Sequence, residues 1–134
     1  MTILFPQAGE LIALKAMLNN TAGQDLTMKL FKSNTTPSNT DTAATYTECT
    51  FVGYASKALP GATTWTFTGG APSSATAAAQ VWIYTGNTVS DTIYGYFYVQ
   101  TTSGILLAAE RDPAPFTVAN NGDQYQVTPA ITAT

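Results

Sequence analysis

Histidine is absent from this chain of 134 residues, and Cys49 is its single cysteine. Histidine is the most common general base, the usual partner of a catalytic serine or cysteine, and the most common zinc ligand. One cysteine cannot form an internal disulfide, and without histidine it cannot complete a structural zinc site. We therefore expect no resident metal ion and no triad-type catalysis.

Phosphate-binding loops are also missing, because no glycine-rich stretch carries the lysine and the spacing that such a loop needs. Two carboxylates would suffice for glycoside hydrolysis. The eight acidic residues, however, lie mostly in turns or near the ends of predicted elements, where solvated or capping roles are expected. The sequence therefore predicts a protein that is not an enzyme and binds no cofactor.

Charge is scarce. Asp, Glu, Lys and Arg make up 10% of the chain, against roughly 25% in an ordinary soluble domain. The five basic residues are scattered between Lys15 and Arg111, and the net charge is −3, so nucleic acid is not an expected partner. Copies with so little charge repel one another weakly, which favours assembly.

Long apolar runs are missing as well. No stretch approaches the roughly 20 residues that a membrane-spanning helix needs. The first ten residues lack a basic segment followed by an apolar one. We therefore expect no signal peptide, no membrane contact, and synthesis in the cytoplasm.

Threonine is what the chain has in abundance, with 24 copies. Threonine is polar and β-branched, so it suits the solvent face of a strand. With 45% apolar residues, a chain of this length can bury a core as one domain, residues 1–134. Composition therefore favours a single, mainly β domain.

Alternation of apolar and polar residues marks the strands. It is clear in residues 25–32 and 64–68, and further strands are predicted over residues 77–84, 92–100 and 105–111. Seven or eight short strands separated by turns indicate an antiparallel β-sandwich of the jelly-roll type. Residues 10–19 carry leucines at helical spacing and predict one short N-terminal helix, with a strand as the alternative.

Turn residues divide these strands. Residues 101–104 end in glycine and predict a hairpin, and residues 120–123 form the strongest turn signal in the chain. Pro113 and Pro115 are expected to interrupt the strand that precedes them. Residues 33–45 hold no large apolar side chain, so we predict a long surface loop that acts as a contact arm.

Two features allow more than one interpretation. Tyr94, Tyr96 and Tyr98 alternate along one strand, and they belong either to a core covered on both faces or to a sugar-binding surface. The charge cluster Glu110-Arg111-Asp112 is a buried ion pair, a contact between subunits or a solvated edge.

Several strings resemble a pattern found in small structural proteins of tailed bacteriophages. They are Leu26-Thr27-Met28-Lys29-Leu30-Phe31, Asn34-Thr35-Thr36-Pro37, Tyr46-Thr47-Glu48, Phe51-Val52-Gly53-Tyr54-Ala55, Tyr94-Gly95-Tyr96-Phe97, Leu106-Leu107-Ala108-Ala109-Glu110-Arg111, Asn120-Asn121-Gly122-Asp123 and Val127-Thr128-Pro129. The resemblance extends over most of the chain, although its matching residues are mainly strand and turn residues.

The resemblance implies a virion protein without catalytic residues, and its first expectation is a head decoration or cement protein on the capsid. Its expected partners are the major capsid protein or other virion subunits, together with copies of itself, with a trimer favoured. A tail or fibre adaptor, or a glycan-binding receptor protein, is the alternative. We expect its contacts among the N-terminal segment, the arm, the aromatic strand and the charge cluster: Phe5, Pro6, Asn34, Thr36, Pro37, Asp41, Tyr94, Tyr96, Tyr98, Glu110 and Arg111.

Overall fold

The computed structural model describes residue 6 and residues 25–61, 64–68 and 73–133. This part of the chain is mainly β and antiparallel, and it contains no α-helix. The N-terminal helix predicted over residues 10–19 lies outside the described residues, as does Phe5. The strands are β1 (Leu26–Phe31), β2 (Lys57–Leu59), β3 (Trp65–Thr68), β4 (Ser73–Ala77), β5 (Gln80–Ile83), β6 (Thr92–Gln100), β7 (Leu106–Thr117), β8 (Gln124–Val127) and β9 (Ala130–Ala133).

The nine strands of the described residues form three sheets. The largest has the order β2-β1-β6-β7, the second has the order β3-β4-β9, and β5 pairs with β8 in the third. A short 3-10 turn, Ala43–Thr45, lies between β1 and β2. The mainly β, antiparallel fold predicted from composition and alternation is therefore confirmed, with nine strands rather than seven or eight.

Strand β1 of the largest sheet shows how the alternation of apolar and polar residues corresponds to burial. Leu26, Met28 and Leu30 are buried on one face, while Thr27 and Lys29 are half-buried on the other. Burying each large apolar side chain contributes about 1.5–3 kcal/mol to folding. The alternation therefore fixes which face of β1 meets the core.

Strand β6 is buried on both faces by the chain itself. One face, with Tyr96 and Tyr98, belongs to a first core cluster that also takes residues from β1, β2, β5, β7 and β8. The opposite face, with Phe97 and Val99, belongs to a second core cluster, whose other members are Phe31, Tyr46, Leu106 and Ala109. Of the two interpretations of the aromatic strand, the structure supports a core covered on both sides.

The prediction that Pro113 and Pro115 interrupt their strand is wrong, because β7 continues through both. It does so on an edge of the sheet, where a missing N–H removes no ladder bond. Between the pairs Gly95–Arg111 and Ile93–Phe116, one residue of β6 faces the four residues 112–115 of β7. This wide bulge accommodates the prolines.

The strand predicted over residues 77–84 is confirmed only at Gln80–Ile83, because Ala77 ends β4, which belongs to another sheet. Strand β4 pairs with β9 and β5 pairs with β8, so the pairing changes across Ala78 and Ala79. The facing chain passes from β8 to β9 at the same level, where the Ala77 N–H donates to the Pro129 carbonyl at 2.9 Å. A proline has no N–H to extend the ladder, so the pairing breaks at this point.

Both predicted turns are confirmed. Gly104 closes the hairpin between β6 and β7 with φ of 70°, and Gly122 has φ of 96° in the turn after β7. Glycine adopts these positive φ values without the strain that a Cβ atom causes.

Candidate contact surface

The arm, residues 33–45, leaves the largest sheet and returns to it through a closed base. The Lys32 N–H donates to the Thr47 carbonyl at 2.8 Å, and the Cys49 N–H donates to the Leu30 carbonyl at 2.9 Å. Phe31 and Glu48 form a β-bridge between these two bonds. The predicted surface loop is therefore a compact loop whose two ends are held together by hydrogen bonds.

The outer part of the arm is ordered by the carboxylate of Asp41. It accepts hydrogen bonds from the Ser38 N–H at 2.8 Å, from the Ser38 hydroxyl at 3.1 Å and from the Tyr46 hydroxyl at 2.7 Å. Burial alone would raise the pKa of Asp41, but these bonds to the ionised form outweigh it, so the pKa lies below its ordinary value. The tip, residues 38–40, is exposed and uncharged.

Tyr46 attaches the end of the arm to the second core cluster. Its ring stacks on Phe97 with a centroid distance of 5.3 Å and lies 4.8 Å from the ring of Phe31. Burial, helped by the hydrogen bond to Asp41, raises the pKa of Tyr46, so the hydroxyl stays protonated. Aromatic packing therefore holds one end of the arm against the sheet.

Arg111 attaches the other end. Its guanidinium donates to the Thr35 carbonyl at 3.1 Å and to the Asn34 side-chain oxygen at 2.7 Å. It also lies over the ring of Tyr94, 5.2 Å from the centroid. The structure thus brings together three of the predicted contact residues, Asn34, Tyr94 and Arg111, at one corner of the sheet.

Of the remaining predicted contact residues, some lie on the surface and others lie in the core. Thr36 is exposed, while Pro37 and Asp41 are half-buried on the arm. Tyr96, Tyr98 and Glu110, with 4%, 0% and 5% of their surface exposed, lie inside the fold, so their side chains offer no surface to a neighbouring chain. Pro6 is buried as well.

The buried tyrosines surround two carboxylates of β7. The Tyr96 hydroxyl donates to Glu110, and the Tyr125 hydroxyl donates to Asp112 at 2.8 Å. Burial is the main reason that the pKa values of Tyr96 and Tyr125 are raised. Both carboxylates thus accept hydrogen bonds from tyrosine hydroxyl groups of the core. These bonds are suited to holding this part of β7 in place.

Two ion pairs that we did not predict hold the base of the arm. Lys29 pairs with Glu48 at 2.9 Å, and Lys32 pairs with Asp91 at 3.0 Å. Asp91 also accepts the Thr50 N–H at 2.6 Å. The partners lie 19 and 59 residues apart in sequence, so only the tertiary fold reveals them.

Cys49 lies beside these pairs, buried in the first core cluster. Burial, with a contribution from the charge of Asp91, raises the pKa of the Cys49 thiol to about 12. The thiolate is therefore scarce near neutral pH, and the side chain behaves as a small apolar group.

Each charged side chain in the described residues has a partner inside the chain, and only Asp25 among them is exposed. Threonine covers the outside instead, because sixteen of the twenty described threonines are exposed and the other four are half-buried. The described exterior is therefore rich in hydroxyl groups and nearly without free charge, and it also exposes five large apolar side chains: Val52, Ile83, Val89, Ile105 and Phe116.

Across residues 25–61, 64–68 and 73–133, no group of three or more acidic, cysteine or histidine side chains is placed to hold a metal ion. The described residues also contain no helix of the length and apolarity that crossing a membrane requires. No family model, no curated protein and no solved structure matches this chain.

Proposed function

We propose that the chain is a non-catalytic structural protein of a tailed-phage virion, which decorates the capsid and cements it through protein–protein contacts. The observation that carries this proposal is the exterior just described, on which neutral threonines replace free charges around an arm that is folded in advance. The resemblance of the sequence to small phage particle proteins supports the same assignment.

A neutral, prefolded surface suits repeated contact with other subunits. Burying a charge without a partner costs several kcal/mol, whereas a hydroxyl can satisfy its hydrogen bond across an interface. An arm whose tip is already ordered by Asp41 loses little conformational entropy when it docks. Many modest contacts, repeated by the symmetry of a shell, then add up to firm attachment.

The finer architecture belongs to the same proposal. The first core cluster holds Met28 of the largest sheet together with Trp82 of β5 and Tyr125 of β8. Shared burial of this kind is what two packed sheets of a β-sandwich produce. We infer a single sandwich-like domain of the jelly-roll type from it.

Attachment to the tail or to a fibre is the nearest alternative, since it needs the same kind of surface. The glycan-binding alternative has less support. Stacking on sugars needs exposed rings, but Tyr96 and Tyr98 are inside the core, and Tyr94 is occupied by Arg111.

Imaging of purified particles of the phage that encodes this chain tests the proposal. We expect density for the chain on the outer surface of the head, and mass spectrometry should find it in the same particles. Density on the tail would select the alternative, and particles without the chain would overturn the virion assignment.

A pair of variants tests the arm. Replacing exposed Thr36 by lysine places a charge on the surface that we expect to be buried against the capsid. When this variant is added to particles prepared without the chain, its occupancy should therefore be at least tenfold lower than that of the parent chain. Thr102→Lys adds the same charge at the exposed β6–β7 hairpin and is the matched control. Equal occupancy of the two variants would show that the arm is not the contact.

A further inference from the structure

Arg111 is a cation without an acidic partner in the described residues. Its two hydrogen bonds go to a backbone carbonyl and to an amide oxygen, and its guanidinium faces the ring of Tyr94. A guanidinium has five N–H donors, so three remain for another acceptor. These contacts hold it in one orientation at the corner between the arm and β7, which prepares it to receive a carboxylate.

Asp25 is the complementary group. It is the one exposed acid among the described residues, and its Oδ1 atom accepts a hydrogen bond from the Gly61 N–H at 3.0 Å. This bond orients the carboxylate and leaves Oδ2 available, because Asp25 makes no other side-chain hydrogen bond with the described residues. An oriented acid and an oriented guanidinium thus both lie at the surface of the same chain.

The two groups lie level with opposite ends of β1. Asp25 precedes Leu26, which faces Gln100, whereas Arg111 faces Gly95, and Gly95 also faces Phe31. Leu26 and Phe31 are five residues apart on β1, which corresponds to about 17 Å along a strand. The pair therefore cannot close within one chain but can close between two.

We propose that Arg111 of one copy binds Asp25 of the next copy, so that the chain associates head to tail. This inference rests on the proposed function and names one of its partners, a second copy. A head-to-tail contact uses different patches on the two copies, and its repetition forms a closed ring or an open filament. The trimer that the sequence led us to expect is a ring of this kind.

Charge supports a second copy as the occupant. The other described charges make ion pairs or hydrogen bonds within the chain, except Lys57, which lies over the Trp82 ring, so two copies meet with little like-charge repulsion and the Arg111–Asp25 pair can fix their orientation. An acidic residue of another virion protein would satisfy Arg111 equally well, but it would give Asp25 no role.

Sedimentation of the full chain at low ionic strength tests the pairing. Arg111→Gln and Asp25→Asn should each lower the association constant about tenfold. The exchange variant Asp25→Arg with Arg111→Asp should restore it to within about threefold of the original value. Lys57→Gln, which removes a positive charge on β2, is the control and should associate like the parent chain.

Folding is checked by thermal melting of each variant. Asp25→Asn keeps an oxygen for the Gly61 N–H, so it reports on charge even if the Arg111 variants melt early. A parent chain that is monomeric up to its solubility limit overturns the inference, as does an Asp25→Asn variant that associates normally. Loss of association in both single variants without recovery in the exchange also overturns the pairing.

Particle binding separates this result from the proposed function. A monomer that still binds capsids would overturn head-to-tail association alone. A ring that never binds particles would overturn the decoration role alone.

Discussion

Tyr96 and Tyr98 lie on the same face of β6, yet their hydroxyl groups differ in hydrogen bonding. Tyr96 donates to the buried Glu110, whereas the Tyr98 hydroxyl is the buried side-chain polar atom of the described residues that has no partner. A buried polar group without a partner costs about 1–3 kcal/mol. Two substitutions that each remove one oxygen should therefore have opposite effects.

Tyr98→Phe should leave the free energy of unfolding unchanged or raise it by about 1 kcal/mol, because the orphan hydroxyl disappears. Tyr96→Phe should lower it by about 2 kcal/mol, because Glu110 loses its donor. Urea unfolding of both variants measures the difference. Equal destabilisation by the two substitutions would mean that the Tyr98 hydroxyl is hydrogen-bonded in solution.

Asp41 predicts an acid-sensitive arm. Its folded pKa lies below the ordinary value of 3.8, so the carboxylate contributes stability that is complete above that value. This contribution is lost as the pH falls through the folded pKa. Asp41→Asn should therefore flatten the decline of Tm as the pH falls below 3.8, whereas Asn39→Gln, on the exposed tip, should melt like the parent chain.

At the level of elements, Gly95 is a position of β6 where the backbone of β7 leaves no room for a side chain. A Cβ atom there would overlap the carbonyl oxygen of Glu110 and lie 2.7 Å from a ring atom of Phe31. Gly95→Ala should lower the free energy of unfolding by about 3 kcal/mol, since backbone and ring must both shift. Denaturant titration measures this loss.

Gly104→Ala is the matched control for that substitution. It also replaces a glycine, with φ of 70°, but in open space at the β6–β7 hairpin. We expect it to cost about 1 kcal/mol, from backbone strain alone. A Gly95 variant as stable as the Gly104 variant would contradict the close approach.

The sequence predicts those strands and turns whose signal lies within a few neighbouring residues. The alternation of β1 and the glycine turn after β6 are both visible in a few residues, and the structure confirms them. The continuation of β7 through Pro113 and Pro115 was not predictable, because it depends on β7 being an edge strand. The break after Ala77 depends in the same way on Pro129, which lies far along the chain.

The contact surface was likewise predictable only in part. Its location in the arm is readable from the absence of large apolar residues, but the side chains that fix the arm are not. Arg111 reaches Asn34 across 77 positions, and Lys32 reaches Asp91 across 59. Pairing at such separations is decided by the order of strands in the sheets, which periodicity does not contain.

For the whole molecule, the scarcity and anchoring of basic residues predict resistance to trypsin. Lys29, Lys57 and Arg111 lie in strands, and Lys32 follows β1 and is tied to Asp91. Cleavage after these four residues should therefore require global unfolding, and its rate should rise with urea in proportion to the unfolded fraction. Mass spectrometry of the fragments measures this, and rapid cleavage after Arg111 without urea would show that the edge strand opens locally.

The threonine exterior has a consequence for the medium in which such a chain works. Acid neutralises carboxylates and brine screens ionic groups, but neither alters the hydration of a hydroxyl appreciably. The threonine hydroxyls therefore keep their hydrogen-bonding capacity across changes of pH and salt that alter the contacts of Asp41. The part of the surface that threonine supplies can serve the same neighbours in media where contacts built on charge would weaken.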